Sequence, residues 1–323
     1  MTVTVPMEVR QASLQVILHG CDGSTWHIHG PGAGREGVWC ARDQMKGLWD
    51  PPVRTAWASG SRQRGGKMRA RWFDPRDVDL GVHLVPDRIP GGDLETLLSE
   101  FWQAVDYRED DYDWDAKLAR IEMISAKSSR FLDLQLREHR DFNPGVDPVK
   151  RRHANPVMPL RAGQPFYYEP PVITKWSTTA SSGSGLIKVS NPTPIPMFQK
   201  WILSRGDWIL PDFSIEGPKH HRRFGRSKRT GRDDSNRTIV MPPITALHGG
   251  AVVDLDPDEL MVRDAHGTNI LGQMPVPGRF FEYEIPPWTQ ELELPVSVSN
   301  APAGGAMVQL VQPRLWPLPI GGQ

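Results

Sequence analysis

Apolar and polar positions along this chain alternate with the period of a strand far more often than with that of a helix. Residues 131–137, Phe-Leu-Asp-Leu-Gln-Leu-Arg, put Leu132, Leu134 and Leu136 on one side, the mark of a half-buried strand, and the run 118–124 before them supplies a pairing partner. Residues 67–72, Lys-Met-Arg-Ala-Arg-Trp, alternate as strictly, so Met68, Ala70 and Trp72 are expected to face a core with three cations opposite. The apolar runs 14–18 and 37–41, bounded by glycines, predict strands joined by a tight turn. One helix interrupts this grammar. Asp93 follows Pro90-Gly91-Gly92 as an N-cap, and Leu94, Leu97, Leu98, Phe101, Trp102 and Val105 fall on one helical face, which predicts a helix packed on the sheet.

The prolines 156, 159, 165, 170 and 171 crowd a short stretch and place a domain boundary near Glu169. Beyond it, strand candidates recur at sandwich-like spacing: 186–189, 197–204, 208–213, 238–241, 251–254, 260–263, 280–285 and 306–312, with 268–271 and 294–298 as two more. Residues 177–184, rich in Ser, Thr and Gly, read as a hairpin loop. The expected fold is mostly β, with a β-rich domain carrying one helix over 1–169 and an antiparallel β-sandwich over 170–323. The 30 glycines and 31 prolines, spread throughout, agree with many short strands joined by turns.

Charge narrows the partners. With 38 basic and 38 acidic residues the chain is neutral, so nothing global draws it to nucleic acid or an anionic membrane. Two local concentrations stand out. Lys219, Arg222, Arg223, Arg226, Lys228, Arg229 and Arg232, beside His220 and His221, make a basic arm within 217–236 with no acid between 219 and 232. Only Phe224 is available there to stack on a base, so the arm is expected to contact another subunit rather than nucleic acid. The run 106–115 interleaves six acids with Tyr107, Tyr112 and Trp114; it reads as an exposed connection and as a candidate complement to the arm. The twelve tryptophans favour surfaces buried against a partner.

Candidate chemistry is sparse. His19, His27 and His29 lie near Cys21 and Cys40, but their spacing matches no zinc pattern, and 254–258 lacks the central glycine and closing Glu of a calcium loop. There is no Gly-x-Ser-x-Gly elbow and no phosphate-binding loop, and 30–34 is a glycine-rich turn. No catalytic, metal or cofactor residue is therefore expected. Two cysteines cannot build a disulfide framework, which points to folding in a reducing compartment. Residues 1–10 carry no export signal, and no apolar run approaches the roughly 20 residues that span a bilayer, so no membrane insertion is expected.

The ordered series LIKVSNPTPIPMFQKWILS, WILPDFS, RTIVMPPI, VVDLDPDELMVRDAHGTNILGQM, FFEYEIPPWT and LPVSVSNAPAGGAMVQLVQPRLWPLP resembles the C-terminal half of the minor tail proteins of siphophages that infect mycobacteria and related actinobacteria. These are similar to the distal tail (Dit) proteins. In the first half the resemblance is architectural, carried by the lone helix and by WDPPVRTAWASGSRQRGGK before an alternating strand. It implies a ring-forming belt domain over 1–169, a galectin-like sandwich over 170–323, and no catalytic residues. It implies a cyclic, six-fold homo-oligomer that joins the tail tube to the tail-tip hub beside the tape measure, located at the virion tail tip after assembly in the host cytoplasm. The basic arm departs from the family pattern. A second reading is a carbohydrate-binding module, with Trp176, Trp201, Trp208 or Trp288 stacking on host glycan.

Overall fold

A computed structural model describes residues 13–107, 116–214 and 234–322. Antiparallel strands dominate, and the chain divides between Glu169 and Pro170 into two units, with Trp316–Gly322 grouping with the first. The second unit thus ends at Leu315, short of the last residue that the range 170–323 assigns to it.

The first unit contains β1 (Gln15–His19), β2 (Thr25–His29), β3 (Val38–Lys46), β4 (Val53–Ala58), β5 (Lys67–Phe73), β6 (Arg76–Leu84), helix α1 (Leu94–Gln103), β7 (Ala119–Ile124), β8 (Ser129–Leu136), the single-turn helix α2 (Pro148–Arg151), β9 (Val157–Ala162) and the start of β10 (Tyr167–Thr178). Its main sheet runs β2-β1-β7-β8-β9-β6-β3. The expected pairing of β7 with β8 is present, with Ile121 opposite Leu132 and Ala119 opposite Leu134, and the alternating leucines are buried. Strand β1 instead pairs with β2 across a short turn, and the run 37–41 opens β3, which pairs with β6. Strand β2 was hidden in the sequence because it carries two histidines; buried His27 is satisfied by Glu36 through its ring and its backbone N–H. Asp93 caps α1 by accepting from the N–H groups of Glu95 and Thr96. The face it starts buries Leu94, Leu97 and Phe101, whose ring meets Trp26 edge-on at 5.3 Å.

The expectation for 67–72 is overturned. β5 forms, but it pairs only with β4 in a two-stranded ribbon, and Met68 and Trp72 are exposed. The register shifts between Ala56 and Trp57, where Ala56 faces Ala70 and Trp57 faces Met68, so Arg69 has no opposite number. An extra residue of this kind breaks period-two alternation, and the strict sequence pattern does not describe one continuous face.

The second unit contains β11 (Gly183–Asn191), β12 (Lys200–Leu203), β13 (Asp207–Pro211), β14 (Thr238–Val240), β15 (Ala251–Asp254), β16 (Val262–Asp264), β17 (Thr289–Ser299) and β18 (Ala306–Trp316), with β10 from Pro170 onward. One sheet runs β16-β15-β12-β18-β10 and the other β11-β17-β13-β14. Both contribute to a single core, Trp201, Leu203, Val253, Val308 and Leu310 from the first and Ile187, Trp208, Leu210, Leu294 and Val296 from the second. This is the expected antiparallel sandwich. Two strand expectations fail. In 280–285 the N–H groups of Glu282 and Tyr283 donate to the carboxylate of Asp212, so no ladder forms and only Ile285 bridges to Met197. Residues 268–271 supply a lone bridge, Asn269 to Arg263, and the start of a 3-10 turn, Leu271–Gln273. The hairpin loop read over 177–184 is shorter, since β10 extends to Thr178 and β11 begins at Gly183.

Candidate assembly surface

Among the described residues, exposed apolar side chains gather on and beside the β4–β5 ribbon. Trp57 is 63% exposed, Met68 52%, Val53 49%, and Trp49 and Trp72 48% each. A hairpin alone is marginally stable in water, and clustered exposed apolar side chains mark a surface that is covered in use. The ribbon holds its shape through small contacts. Arg54 pairs with Asp74 at 2.7 Å and lies over the Trp72 ring, Arg71 lies over Phe73, and the Trp57 indole donates to Thr55.

Its root is held far more firmly. Phe73 meets Phe166 edge-on at 4.8 Å. Arg76, fully buried, donates from Nε to Pro165 O (2.8 Å), from Nη1 to Gly47 O (3.3 Å) and Leu48 O (2.8 Å), and from Nη2 to Pro317 O (2.9 Å). Tyr167 also donates to Leu48 O, and Arg76 stacks over its ring. The guanidinium is thus solvated by carbonyls in place of water; burial pulls its pKa below the usual arginine value. A second buried arginine, Arg130, pairs with Glu169 at 3.0 Å, donates to Leu318 O and lies 4.0 Å over Trp316. These two arginines hold Trp316–Gly322 in the first unit. Nothing in the local sequence flags either residue, because each sits in a strand and its partners are distant in sequence.

All seven predicted contact residues, Lys219, Arg222, Arg223, Arg226, Lys228, Arg229 and Arg232, lie outside the described residues. The chain on either side of them is pinned. Ser214 N–H donates to Asp234 O, Asp212 N–H to Arg237 O, and the buried carboxylate of Asp212 pairs with Arg237. Arg237 reaches Phe280 O and Glu282, while Tyr283 donates to Asp234. Burial lowers the pKa of Arg237, and Glu282 counters it only in part.

The residues weighed for other chemistry do not converge. His19 pairs with Glu122 and His27 with Glu36, Cys21 and Cys40 are free, and Asp254 pairs with Lys200. Among the described residues no three His, Cys, Asp or Glu side chains are grouped as a metal site. A groove of about 630 Å³ beside His19, Lys117, Arg120, Glu122, Phe131 and Asp133 holds two ion pairs, His19 with Glu122 and Arg120 with Asp133. Of the four tryptophans considered for sugar stacking, Trp201 and Trp208 are fully buried. Trp176 is half-buried edge-on to Trp208 and over Gly185, where a Cβ would fall 1.9 Å from its Nε1. Only Trp288, 53% exposed, presents its ring to water.

No family model matches the chain. The minor tail proteins Gp27 of Mycobacterium phage D29 and of Mycobacterium phage L5 are each 23% identical to it over 339 residues, spanning 93% of this chain and 96% of the relative. Among solved structures, the Dit protein (gp 19.1) of phage SPP1, described as a paradigm of the hub adsorption apparatus of phages infecting Gram-positive bacteria, aligns with a TM-score of 0.50 and 8% identity over 93% of this chain and 99% of that one. The resemblance to mycobacteriophage minor tail proteins is borne out, and it extends beyond the second unit into the first.

Proposed function

We propose that this chain is a structural component of a phage tail tip, a distal tail protein whose copies form a six-fold ring joining the tail tube to the tail-tip hub, with no catalytic role. The exposed tryptophan ribbon on a buried arginine root carries this reading: a stiffly anchored apolar arm has a purpose only when another chain covers it. Similarity to the Gp27 minor tail proteins over 93% of the chain supports the tail assignment. The first unit, with the ribbon, is then the ring-forming belt and the sandwich its outer domain; the basic arm would contact a neighbouring subunit. The free cysteines fit assembly in the reducing cytoplasm of a bacterial host. Sedimentation over a range of concentrations tests the reading: it expects a single closed oligomer to replace the monomer, and an open-ended series of aggregates or a persistent monomer refutes it.

A carbohydrate-binding role at the host surface has one observation in its favour. Trp288 is exposed and adopts φ +58, a left-handed conformation that bulky residues rarely accept. Buried Asn191 ties the preceding segment down through the carbonyls of Ile195, Ile285 and Pro286, and Trp288 N–H donates to Thr193 O. A rigidly offered indole suits stacking on a sugar ring. Retention of the protein, but not of a Trp288→Ala variant, on host envelope saccharide tests this role; equal retention of both removes it.

A further inference from the structure

Residues 51–73 carry six cations, Arg54, Arg62, Arg64, Lys67, Arg69 and Arg71, and no acid, a net charge of +6. All six are exposed, and they surround the uncovered side chains of Trp57, Met68 and Trp72. An occupant that satisfies such a surface is both acidic and aromatic: carboxylates match the guanidinium groups, while aromatic rings cover the indoles and stack on arginine. The chain contains one segment of that composition. Residues 106–115 hold Asp106, Glu109, Asp110, Asp111, Asp113 and Asp115 against a single Arg108, a net charge of −5 (six acids less one cation), interleaved with Tyr107, Tyr112 and Trp114. Tyr107, within the described residues, is 50% exposed. The basic arm 219–232, the other cationic segment, offers the same run charge but only Phe224 as an aromatic. Charge alone does not choose between the two; the apolar component favours the ribbon.

We propose that the β4–β5 ribbon of one copy docks on the 106–115 run of a neighbouring copy. This rests on the self-association proposed above and names its contact. In the ring proposed above the contact is heterologous: each copy gives one ribbon and receives one, and the series continues from copy to copy until it closes. A two-fold dimer that exchanges ribbon for run reciprocally would satisfy the same charges but stops at two copies, so the size of the oligomer separates it from the ring.

Two charge-reversed variants test the contact. Arg62→Glu, Arg64→Glu, Lys67→Glu, Arg69→Glu and Arg71→Glu take the ribbon from +6 to −4, two charges per substitution, while sparing the Arg54 pair with Asp74; Glu109→Lys, Asp110→Lys, Asp111→Lys, Asp113→Lys and Asp115→Lys take the run from −5 to +5. Each variant alone is expected to associate about 100-fold more weakly than the wild type, with unchanged thermal unfolding to show that it folds. An equimolar mixture is expected to recover to within about 3-fold, since each reversed ribbon then meets a reversed run and each native ribbon a native run. Recovery in one chain carrying both sets, but not in the mixture, assigns the contact to a single copy and overturns the proposal. Normal association of both variants overturns this contact and leaves the ring standing. Normal association of the ribbon variant with lost retention on duplex DNA makes nucleic acid the occupant and also overturns it. A wild type that stays monomeric brings down the ring and the contact together.

Discussion

Replacing Trp57 and Trp72 by serine separates the stability of one copy from that of the assembly. Trp57 is 63% and Trp72 48% exposed. A tryptophan has about 250 Å² to hide, so about 160 and 120 Å² remain for a neighbour to cover. At about 25 cal/mol per Å² the ceiling is about 4 and 3 kcal/mol. The cost of fixing side chains and whole bodies lowers the realised loss to about 2 kcal/mol per indole, roughly 30-fold in Kd each and about 1000-fold together if the sites act independently. The folded copy loses much less: an exposed cation–π contact of Arg54 with Trp72 at 5.8 Å and an exposed hydrogen bond from Trp57 to Thr55 at 3.0 Å, each under about 1 kcal/mol. Sedimentation equilibrium should show the weakened association. Circular dichroism below the association concentration should place Tm within about 3 °C of the wild type. A Tm lowered by about 10 °C with association intact would show that the indoles hold the copy together, and the reasoning from exposure would be wrong.

Other outcomes follow from single groups. Arg76→Met removes the donor to the carbonyls of Gly47, Pro165 and Pro317, while Leu48 O keeps Tyr167, and should cost about 3 kcal/mol in urea unfolding; Arg76→Lys should not rescue it, because an ammonium cannot span that spread of acceptors. Asp77 has its pKa held low, first by the hydrogen bond from Arg161 and then by Arg137, against the cost of burial. Its contribution is present above the unfolded carboxylate pKa of about 3.9 and lost as pH falls through the lower folded value. Asp77→Asn should therefore lower Tm at pH 7 by a small, salt-sensitive amount, with the difference closing toward about pH 3. Trp288→Gly should raise Tm, since glycine accepts the φ +58 backbone that tryptophan resists, by the equivalent of about 1 kcal/mol; an unchanged or lowered Tm would show that the indole is held by contacts worth more than the strain.

The parts of the fold legible in the sequence are those where local pattern and final environment agree. The leucines of β8 alternate because one face is buried, and Asp93 followed by a leucine stripe announces a capped helix, as found. Where a distant group intervenes, the pattern misleads. Residues 280–285 look like a strand, yet Asp212, some seventy residues away, takes the N–H groups that a ladder would use. Residues 67–72 look like one face of a covered sheet, but the missing partner for Arg69 breaks the alternation and only β4 pairs with them. The arginines that hold the ribbon root and the C-terminal residues are indistinguishable in sequence from the exposed arginines on the ribbon itself. Their role depends on which carbonyls the fold brings within reach. High tryptophan content pointed to a partner surface, but burial divides these residues: Trp201 and Trp208 build the sandwich core, and Trp57 and Trp72 stay exposed on the ribbon.

In the proposed assembly, copies of this chain close into a ring through the first unit. Electron microscopy of the purified full-length protein tests it most directly. Closed rings of six copies are expected, in which density for the β4–β5 ribbon reaches from each copy onto the next. Isolated monomers at tens of micromolar, or rings whose ribbons stay free in solvent, would contradict it.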